Sequence, residues 1–132
     1  MEVSFRIDKE GEVTDDNVVQ WVYSAKNRDD LVNRYDAWAK HYDSDLRRDF
    51  QWSGHIKGVD LFCKYVHSGA NVIDIGAGTG LAGKELANRG FKQLDGFDLS
   101  EGMLAEARKR GIYADLRKGI LGEPLQYTTA FY

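Results

Sequence analysis

The architecture of this chain is set by NVIDIGAGTG, residues 71–80, which combines an apolar run with three closely spaced glycines. Val72, Ile73 and Ile75 are β-branched and apolar, as expected of a central parallel strand that is covered on both faces. The glycines allow the backbone to approach a ligand closely. Asp74 is costly to bury alone, so we expect its carboxylate to point toward a ligand at the carboxyl end of the strand. The pattern predicts a strand, a turn and a helix that cradle a small molecule.

Composition limits the class of protein. With 132 residues, of which 42% are hydrophobic and 30% charged, the chain is long enough for one globular domain. The 18 basic and 21 acidic residues give a net charge of −3, which disfavours a nucleic-acid partner. A single cysteine, Cys63, excludes an internal disulfide or a multi-cysteine metal site, and we expect no metal. No run resembles a signal peptide or a membrane span, so we expect a soluble, cytoplasmic protein.

Residues 1–68 are predicted to form an amino-terminal helical cap region. Capping residues at 14–17 predict a first helix from about Asp15 to Ala25. Two apolar stripes with helical spacing predict two further helices, the second of which should lie against the sheet. The first stripe is Leu31, Tyr35, Trp38, Ala39 and Tyr42, and the second is Trp52, Ile56, Val59, Phe62, Cys63 and Val66. The polar segment 43–49 between them is interpreted as a break.

Residues 69–132 alternate between strand and helix patterns. Strands are predicted at 71–76, 93–98 and about 112–121, with helices at 79–89 and from the cap Ser100 to Gly111. Repeated βαβ units imply a parallel sheet with right-handed crossovers. Pro124 and residues 126–129 are predicted to form a loop. Because the chain stops there, we expect only the amino-terminal part of a doubly wound α/β domain, with the first strand left as an exposed edge.

The glycine turn satisfies two ligand patterns at once. Residues 76–80 read G-x-G-x-G, and residues 78–83 read G-x-G-x-x-G, the dinucleotide fingerprint. Asp98 follows Gly78 by twenty residues and can accept hydrogen bonds from both ribose hydroxyls of an adenosine ligand. Asp74 would repel a pyrophosphate and attract an ammonium group. These residues therefore favour an adenosine joined to an amino acid, and a nicotinamide dinucleotide stays the alternative.

Several segments resemble class I S-adenosylmethionine-dependent methyltransferases. Residues 72–80 are similar to motif I of that family, residues 96–100 to its second motif, and residues 102–108 to the helix that follows. Residues 35–43 resemble the aromatic helix that precedes motif I in many of these enzymes. Residues 90–96 and 121–125 are similar to segments of the methyltransferase-like protein 27 family. The resemblance, which runs from about residue 31 to residue 125, implies a Rossmann-like α/β fold in which helices cover both faces of the sheet.

The resemblance also implies S-adenosyl-L-methionine as cofactor and a set of residues that contact it. Motif I would wrap the methionine part, with Asp74 holding its ammonium group, and Asp98 would bind the ribose. Leu99 and Met103 would pack near the adenine. The motif I residues implied are Gly76, Ala77, Gly78, Thr79 and Gly80.

Two further segments complete the implied site. Residues 120–122 lie where the third-strand loop of the family meets the base. Many relatives have an acidic residue there, whereas this chain has Ile120 and Leu121, so a contact would come from the backbone. Tyr35 and Tyr42, with Trp38 between them, would close over the cofactor. An aromatic face beside a sulfonium contributes a cation–π attraction of roughly 0.5–2 kcal/mol. The competing interpretation of this stripe is core packing.

Three functions stay open at this point. The first is the cofactor-binding part of a methyltransferase, with an unknown methyl acceptor and no catalytic residue that the sequence can name. The second is a non-enzymatic interaction module, in which the exposed edge of the first strand pairs with another chain or in a homodimer. The third is part of a nicotinamide-dependent oxidoreductase. His41, His55 and His67 show no metal-ligand spacing.

Overall fold

The computed structural model describes residues 18–125 and residue 127, and the side chains of residues 49 and 50 are left aside. Within these residues, four helices precede the first strand, and strands and helices then alternate. The helices are α1 (Val18–Tyr23), α2 (Arg28–Trp38), α3 (Tyr42–Phe50), α4 (Gly54–Phe62), α5 (Leu81–Asn88) and α6 (Glu101–Lys109), and the strands are β1 (Asn71–Ile75), β2 (Gln93–Asp98) and β3 (Asp115–Lys118).

The strands form one parallel sheet in the order β1-β2-β3. Val72 lies opposite Leu94, and Gly96 lies opposite Leu116. This arrangement confirms the predicted βαβ units and the Rossmann-like α/β fold. Within the described residues, β1 has a strand neighbour on one side only, as the sequence predicted.

Burial of β1 differs from the expectation of a fully covered strand. Val72 is buried, but Ile73 is only half-buried and Ile75 is 47% exposed. The difference follows from the position of β1 at the edge of the described sheet, where no further strand or helix covers its last residue.

A sheet core joins α4 and α5 to the first two strands. One cluster of buried residues contains Val59 of α4, Val72 of β1, Leu86 of α5, Phe91 and Leu94 of β2. The helix predicted to lie against the sheet therefore does so. Its bounds differ from the prediction, because Trp52 precedes α4 and is 54% exposed, and α4 ends before residue 66.

A second cluster, the cap core, lies among α1, α2 and α3. Its buried members are Val18, Trp21, Val22, Trp38 and Leu46. The prediction of one helix from residue 31 to residue 42 was wrong, because α2 ends at residue 38 and residue 42 begins α3.

The segment interpreted as a polar break forms α3. The charged side chains obscure the apolar helical spacing of this segment in the sequence, yet their positions favour a helix. Asp43 and Asp45 lie in the first turn, where the helix dipole favours anions, and Arg47 and Arg48 lie in the last turn, where it favours cations.

Some boundary predictions fall outside the described residues or need correction. Helix α1 is described from Val18, so the predicted capping residues 14–17 lie outside the described part, as do residue 126 and residues 128–129 of the predicted loop. Strand β3 covers four residues rather than the predicted ten, with ladder hydrogen bonds from Ala114 N to Leu94 O and from Gly119 N to Asp98 O on either side of it. The division at residue 68 stays a prediction. None of the helices in the described ranges has the length and apolar character needed to cross a bilayer.

Candidate functional site

A cleft of about 330 Å³ opens where β1 and β2 end, beneath α2. The carboxyl edge of a parallel sheet is where α/β folds place their ligands. The lining residues come from α2, from the end of β2, from the turns after β1 and β2, and from the segment after β3. They are Leu31, Val32, Tyr35, Gly76, Phe97, Asp98, Leu99, Ser100, Gly119 and Leu121.

The glycine turn that follows β1 has a backbone that only glycine adopts readily. Gly76, Gly78 and Gly80 have φ angles of 73°, 55° and 87°. The amides of Gly76 and Ala77 both donate to the carbonyl of Phe97, at 2.9 and 3.0 Å. A Cβ built on residue 76 or residue 78 would meet no atom within 4 Å, so the turn leaves open space at these positions.

The carboxylate of Asp98 connects the glycine turn to α6. Its Oδ2 accepts a hydrogen bond from the amide of Gly78 at 2.9 Å, and its Oδ1 accepts one from the amide of Ser100 at 2.9 Å. A carboxylate has about four acceptor sites, so Asp98 keeps capacity for two ligand hydroxyls at the cleft surface. The turn and the carboxylate are held in place before any ligand arrives.

Asp74 lies beneath the glycine turn and has an internal partner. Its Oδ2 accepts a hydrogen bond from the hydroxyl of Tyr113 at 2.6 Å. Burial raises the pKa of Asp74, the hydrogen bond from Tyr113 opposes that rise, and the charge of Asp98 adds to it. Asp74 does not line the cleft.

The hydroxyl of Tyr113 fits against α5 at a position without a side chain. A Cβ on Gly83 would lie 2.1 Å from the Tyr113 oxygen, so glycine is required there. Burial and the negative charge of Asp74 raise the pKa of Tyr113, which keeps the hydroxyl protonated as a donor. Tyr113 was not predicted as a site residue.

The amides at the amino terminus of α6 donate hydrogen bonds to the helix's own cap residue and to α2. Ser100 Oγ accepts from Met103 N at 3.1 Å, which confirms the predicted cap. Asp36 Oδ1 accepts from the hydroxyl of Ser100 and from the amide of Gly102, the latter at 2.8 Å. A Cβ on Gly102 would lie 2.8 Å from Asp36 Cα, so the two helices touch at this point.

Thr79, inside the glycine turn, is held by residues of α3 and of the end of α6. Its hydroxyl donates to Asp43 Oδ1, and its carbonyl accepts from Arg110 Nε at 2.6 Å. Arg110 Nη2 also forms an ion pair with Asp43 Oδ2. Arg110 lies in the basic triplet 108–110 at the end of α6, yet its side chain is only 19% exposed. We refer to Asp43, Thr79 and Arg110 as the Thr79 cluster.

The aromatic stripe divides between the cleft and the cap core. Tyr35 lines the cleft, whereas Trp38 is 5% exposed and donates from Nε1 to Asp45 at 2.8 Å. Trp38 also makes an edge contact with Tyr42, with ring centroids 4.6 Å apart. Burial, together with nearby Tyr35, raises the pKa of Tyr42 to about 12.

The structure therefore brings five of the predicted residues to one cleft. They are Tyr35, Gly76, Asp98, Leu99 and Leu121. The others do not line it: Asp74, Ala77, Gly78, Thr79, Gly80, Met103, Ile120 and Tyr42. Met103 is buried in α6, and Ile120 borders a neighbouring cavity of about 240 Å³ on the other side of the β3 loop. Their ligand contacts stay predictions.

Four residues of this region were not predicted from the sequence, because each forms a hydrogen bond or ion pair with a residue far away in the chain. Asp36 and Arg110 bind partners 66 and 67 positions away, and Asp43 and Tyr113 bind partners 36 and 39 positions away. No local spacing signals such contacts. Among the described residues, no three histidine, cysteine, aspartate or glutamate side chains are placed to hold a metal ion.

Comparison with known proteins points to one group of proteins. A family model described as "Methyltransferase domain" matches residues 72–123. Human methyltransferase-like protein 27 is 40% identical over an alignment of 96 residues that covers 69% of this chain. The chain spans 38% of the length of that relative.

Two solved structures are similar to this chain to different extents. The DhpI-SAM-HEP complex superposes with a TM-score of 0.52 at 20% identity, covering 67% of this chain and 40% of that one. Streptomyces venezuelae DesVI gives a TM-score of 0.41 at 25% identity, covering 79% of this chain and 35% of that one. The first of these supports the α/β fold.

Proposed function

We propose that this chain, whose residues 72–123 are part of a class I S-adenosylmethionine-dependent methyltransferase domain, binds S-adenosylmethionine in the cleft and serves methyl transfer. The observation that carries the proposal is the joining of the glycine turn to Asp98. The amide of Gly78 donates to Asp98 Oδ2 at 2.9 Å, so the two predicted cofactor motifs form one preorganised unit at the sheet edge. The 40% identity to human methyltransferase-like protein 27 supports the same assignment.

The residues present fit this cofactor. The cleft volume of about 330 Å³ lies at the lower end of the range of about 300–1,000 Å³ that is usual for ligand pockets. Open space beside Gly76 and Gly78 lets ligand atoms come close to the backbone. Leu99 and Leu121 supply apolar walls, and Asp98 supplies the acceptors that ribose hydroxyls need.

Four of the lining residues then have a definite task. Asp98 would bind the ribose, Gly76 and its neighbours in the turn would pass along the methionine part, and Leu99 would pack near the base. Tyr35 would cover the cleft from α2. S-adenosylmethionine supplies an activated methyl group on a sulfonium, and its transfer requires mainly that acceptor, methyl carbon and sulfur be aligned.

We propose the class of methyl acceptor and the cellular location from the composition of the chain. A net charge of −3 argues against a nucleic-acid acceptor and favours a small molecule or a protein. The single cysteine suits a reducing compartment, so we propose a cytoplasmic location. No catalytic residue is assigned.

The test is isothermal titration of the folded chain with S-adenosylmethionine, S-adenosylhomocysteine and reduced nicotinamide dinucleotide. We expect saturable binding of both sulfur compounds and none of the dinucleotide. Asp98→Asn keeps the shape of the side chain and serves as the matched variant, which should bind more weakly. Binding of the dinucleotide alone would contradict the proposal and favour the oxidoreductase alternative.

A second candidate function is pairing through β1 with another chain or in a homodimer. The observation in its favour is the 47% exposure of Ile75 at an edge that has no strand neighbour within the described residues. Light scattering with size-exclusion chromatography tests it. We expect a concentration-dependent dimer that Ile75→Lys disrupts, and a monodisperse monomer at all concentrations would count against self-pairing.

A further inference from the structure

The Thr79 cluster connects three parts of the fold at the glycine turn. Asp43 comes from the first turn of α3, Thr79 from the turn itself, and Arg110 from the residue after α6. Thr79 is 2% exposed, and the Arg110 and Asp43 side chains are 19% and 32% exposed. Because these groups are largely removed from water, their charge-assisted hydrogen bonds are stronger than those of surface pairs.

Arg110 suits this position through the shape of its guanidinium. Nε donates to the carbonyl of Thr79 at 2.6 Å while Nη2 pairs with Asp43. A Cβ on Gly80 would lie 3.2 Å from Arg110 Cδ, so the side chain runs directly against the turn. A planar fork reaches two different acceptors at once, which the single ammonium of lysine does less well.

We propose that Asp43 and Arg110 are positioning residues, which hold the glycine turn in its ligand-binding shape and make cofactor binding and the docking of α3 mutually dependent. This inference rests on the proposed function. Asp98 at the end of β2 fixes Gly78, and Asp43 and Arg110 fix Thr79, so consecutive turn residues are held by different elements of the fold. Because linkage is reciprocal, a docked α3 that strengthens ligand binding must itself be stabilised by the ligand, and the coupling free energy is the same in both directions.

The experiment combines titration with S-adenosylhomocysteine and hydrogen exchange of the α3 amides. The variants are Arg110→Met, Arg110→Lys and Asp43→Asn. The matched control is Arg108→Met, which removes an arginine of the same helix from an exposed ion pair with Glu101. Circular dichroism confirms that each variant is folded.

We expect Arg110→Met and Asp43→Asn each to weaken S-adenosylhomocysteine binding by about tenfold or more, as loss of a charged hydrogen bond does. The double variant should lose little more than either single variant, because both remove the same contact. Arg110→Lys should restore part of the affinity, and Arg108→Met should stay within about twofold of the wild type. In the wild type, the ligand should slow exchange in α3, and Arg110→Met should abolish that slowing.

Failure of this inference differs from failure of the proposed function. If the wild type binds and Arg110→Met matches it in affinity and in α3 exchange, the positioning role is wrong. Additive losses in the double variant would also contradict it. If the wild type binds no S-adenosylhomocysteine, the proposed function fails. The cluster can still be tested in the ligand-free protein: if it holds α3, the α3 amides exchange faster in Arg110→Met than in Arg108→Met, and equal exchange rates would contradict it.

Discussion

The two walls of the cleft are built in different ways. The turn wall consists of the glycine turn, Asp98 and Ser100, and every one of its polar groups described above has a partner at hydrogen-bond distance. The loop wall, residues 119–121 after β3, is attached by a hydrogen bond from Gly119 N to Asp98 O, and its Leu121 is 70% exposed. Polar contacts to α2, α3 and α6 fix the turn wall. The loop wall offers an apolar surface with few neighbours.

This difference indicates how the cleft divides recognition between its walls. The polar groups that would orient a ligand are preorganised, which lowers the entropic cost of binding. The apolar surface can adjust, because burial of apolar area depends little on direction. Substitutions in the turn wall should therefore have large effects, and substitutions in the loop wall should have small ones.

The largest effect is expected from Asp98→Ala. It leaves the amides of Gly78 and Ser100 without their acceptor. Because these hydrogen bonds are only partly buried, each loss should cost less unfolding free energy than the upper end of the range of about 1–3 kcal/mol for a buried donor. Affinity for S-adenosylhomocysteine should fall at least tenfold. Titration and chemical denaturation measure the two losses. Unchanged affinity would show that Asp98 does not contact the ligand and that the turn wall is no more sensitive to substitution than the loop wall.

A second large effect is expected from Gly83→Ala, where the added Cβ would lie 2.1 Å from the Tyr113 oxygen. Overpacking of this kind costs about 1–3 kcal/mol of unfolding free energy. Gly58→Ala is the matched control, because Gly58 is also helical and its Cβ would meet no atom within 4 Å. The control should gain up to about 1 kcal/mol from helix propensity. Equal unfolding midpoints for the two variants would show that Tyr113 moves away freely.

An intermediate effect concerns pH. Since burial raises the pKa of Asp74 in the folded state, the folded protein binds more protons than the unfolded chain between the two pKa values. The stability contributed by Asp74 is thus full below its unfolded pKa and is lost as pH rises through the folded value. Unfolding free energy, measured against pH from about 4 upward, should fall more steeply for the wild type than for Asp74→Asn.

Tyr113→Phe provides a second test of the Asp74 pKa, through the same measurement of unfolding free energy against pH. Without the hydroxyl, the hydrogen bond that opposes the rise is lost, so the pKa of Asp74 should rise further and the decline in stability should extend to higher pH. Parallel pH profiles for the wild type and Asp74→Asn would show that the carboxyl is not perturbed by its surroundings.

The smallest effect is expected from Leu121→Ala on the loop wall. An exposed side chain contributes little to stability, so unfolding free energy should change by less than about 0.5 kcal/mol. Affinity for S-adenosylhomocysteine should change less than about threefold, because few atoms hold Leu121 in place. A tenfold loss in the titration would show that ligand binding orders the loop wall, and the contrast between the walls would hold only for the free protein.

The turn wall was largely predictable from sequence, because its signals are local. Glycine spacing predicted the turn after β1, and Ser100 predicted the start of α6. Asp98 could be placed at the end of β2 because parallel strands bring their carboxyl ends to one edge.

The contacts that support the turn were not predictable in the same way. Arg110 lies in a basic triplet that resembles a solvated helix end, and Asp43 lies in a charged segment that hid α3. Their partners lie 31 to 67 positions away, so tertiary packing alone brings them together.

The contact of Asp36 with the start of α6 has a consequence for folding kinetics. The Gly102 amide finds its acceptor 66 positions earlier in the chain, so closing that contact requires a long loop. The cap of α6 is therefore completed only when α2 docks, and we place this event late on the folding pathway. A shortened chain that begins at α4 would leave both the Ser100 hydroxyl and the Gly102 amide without this acceptor, so we expect the strands and their crossover helices to be less stable alone than in the longer chain.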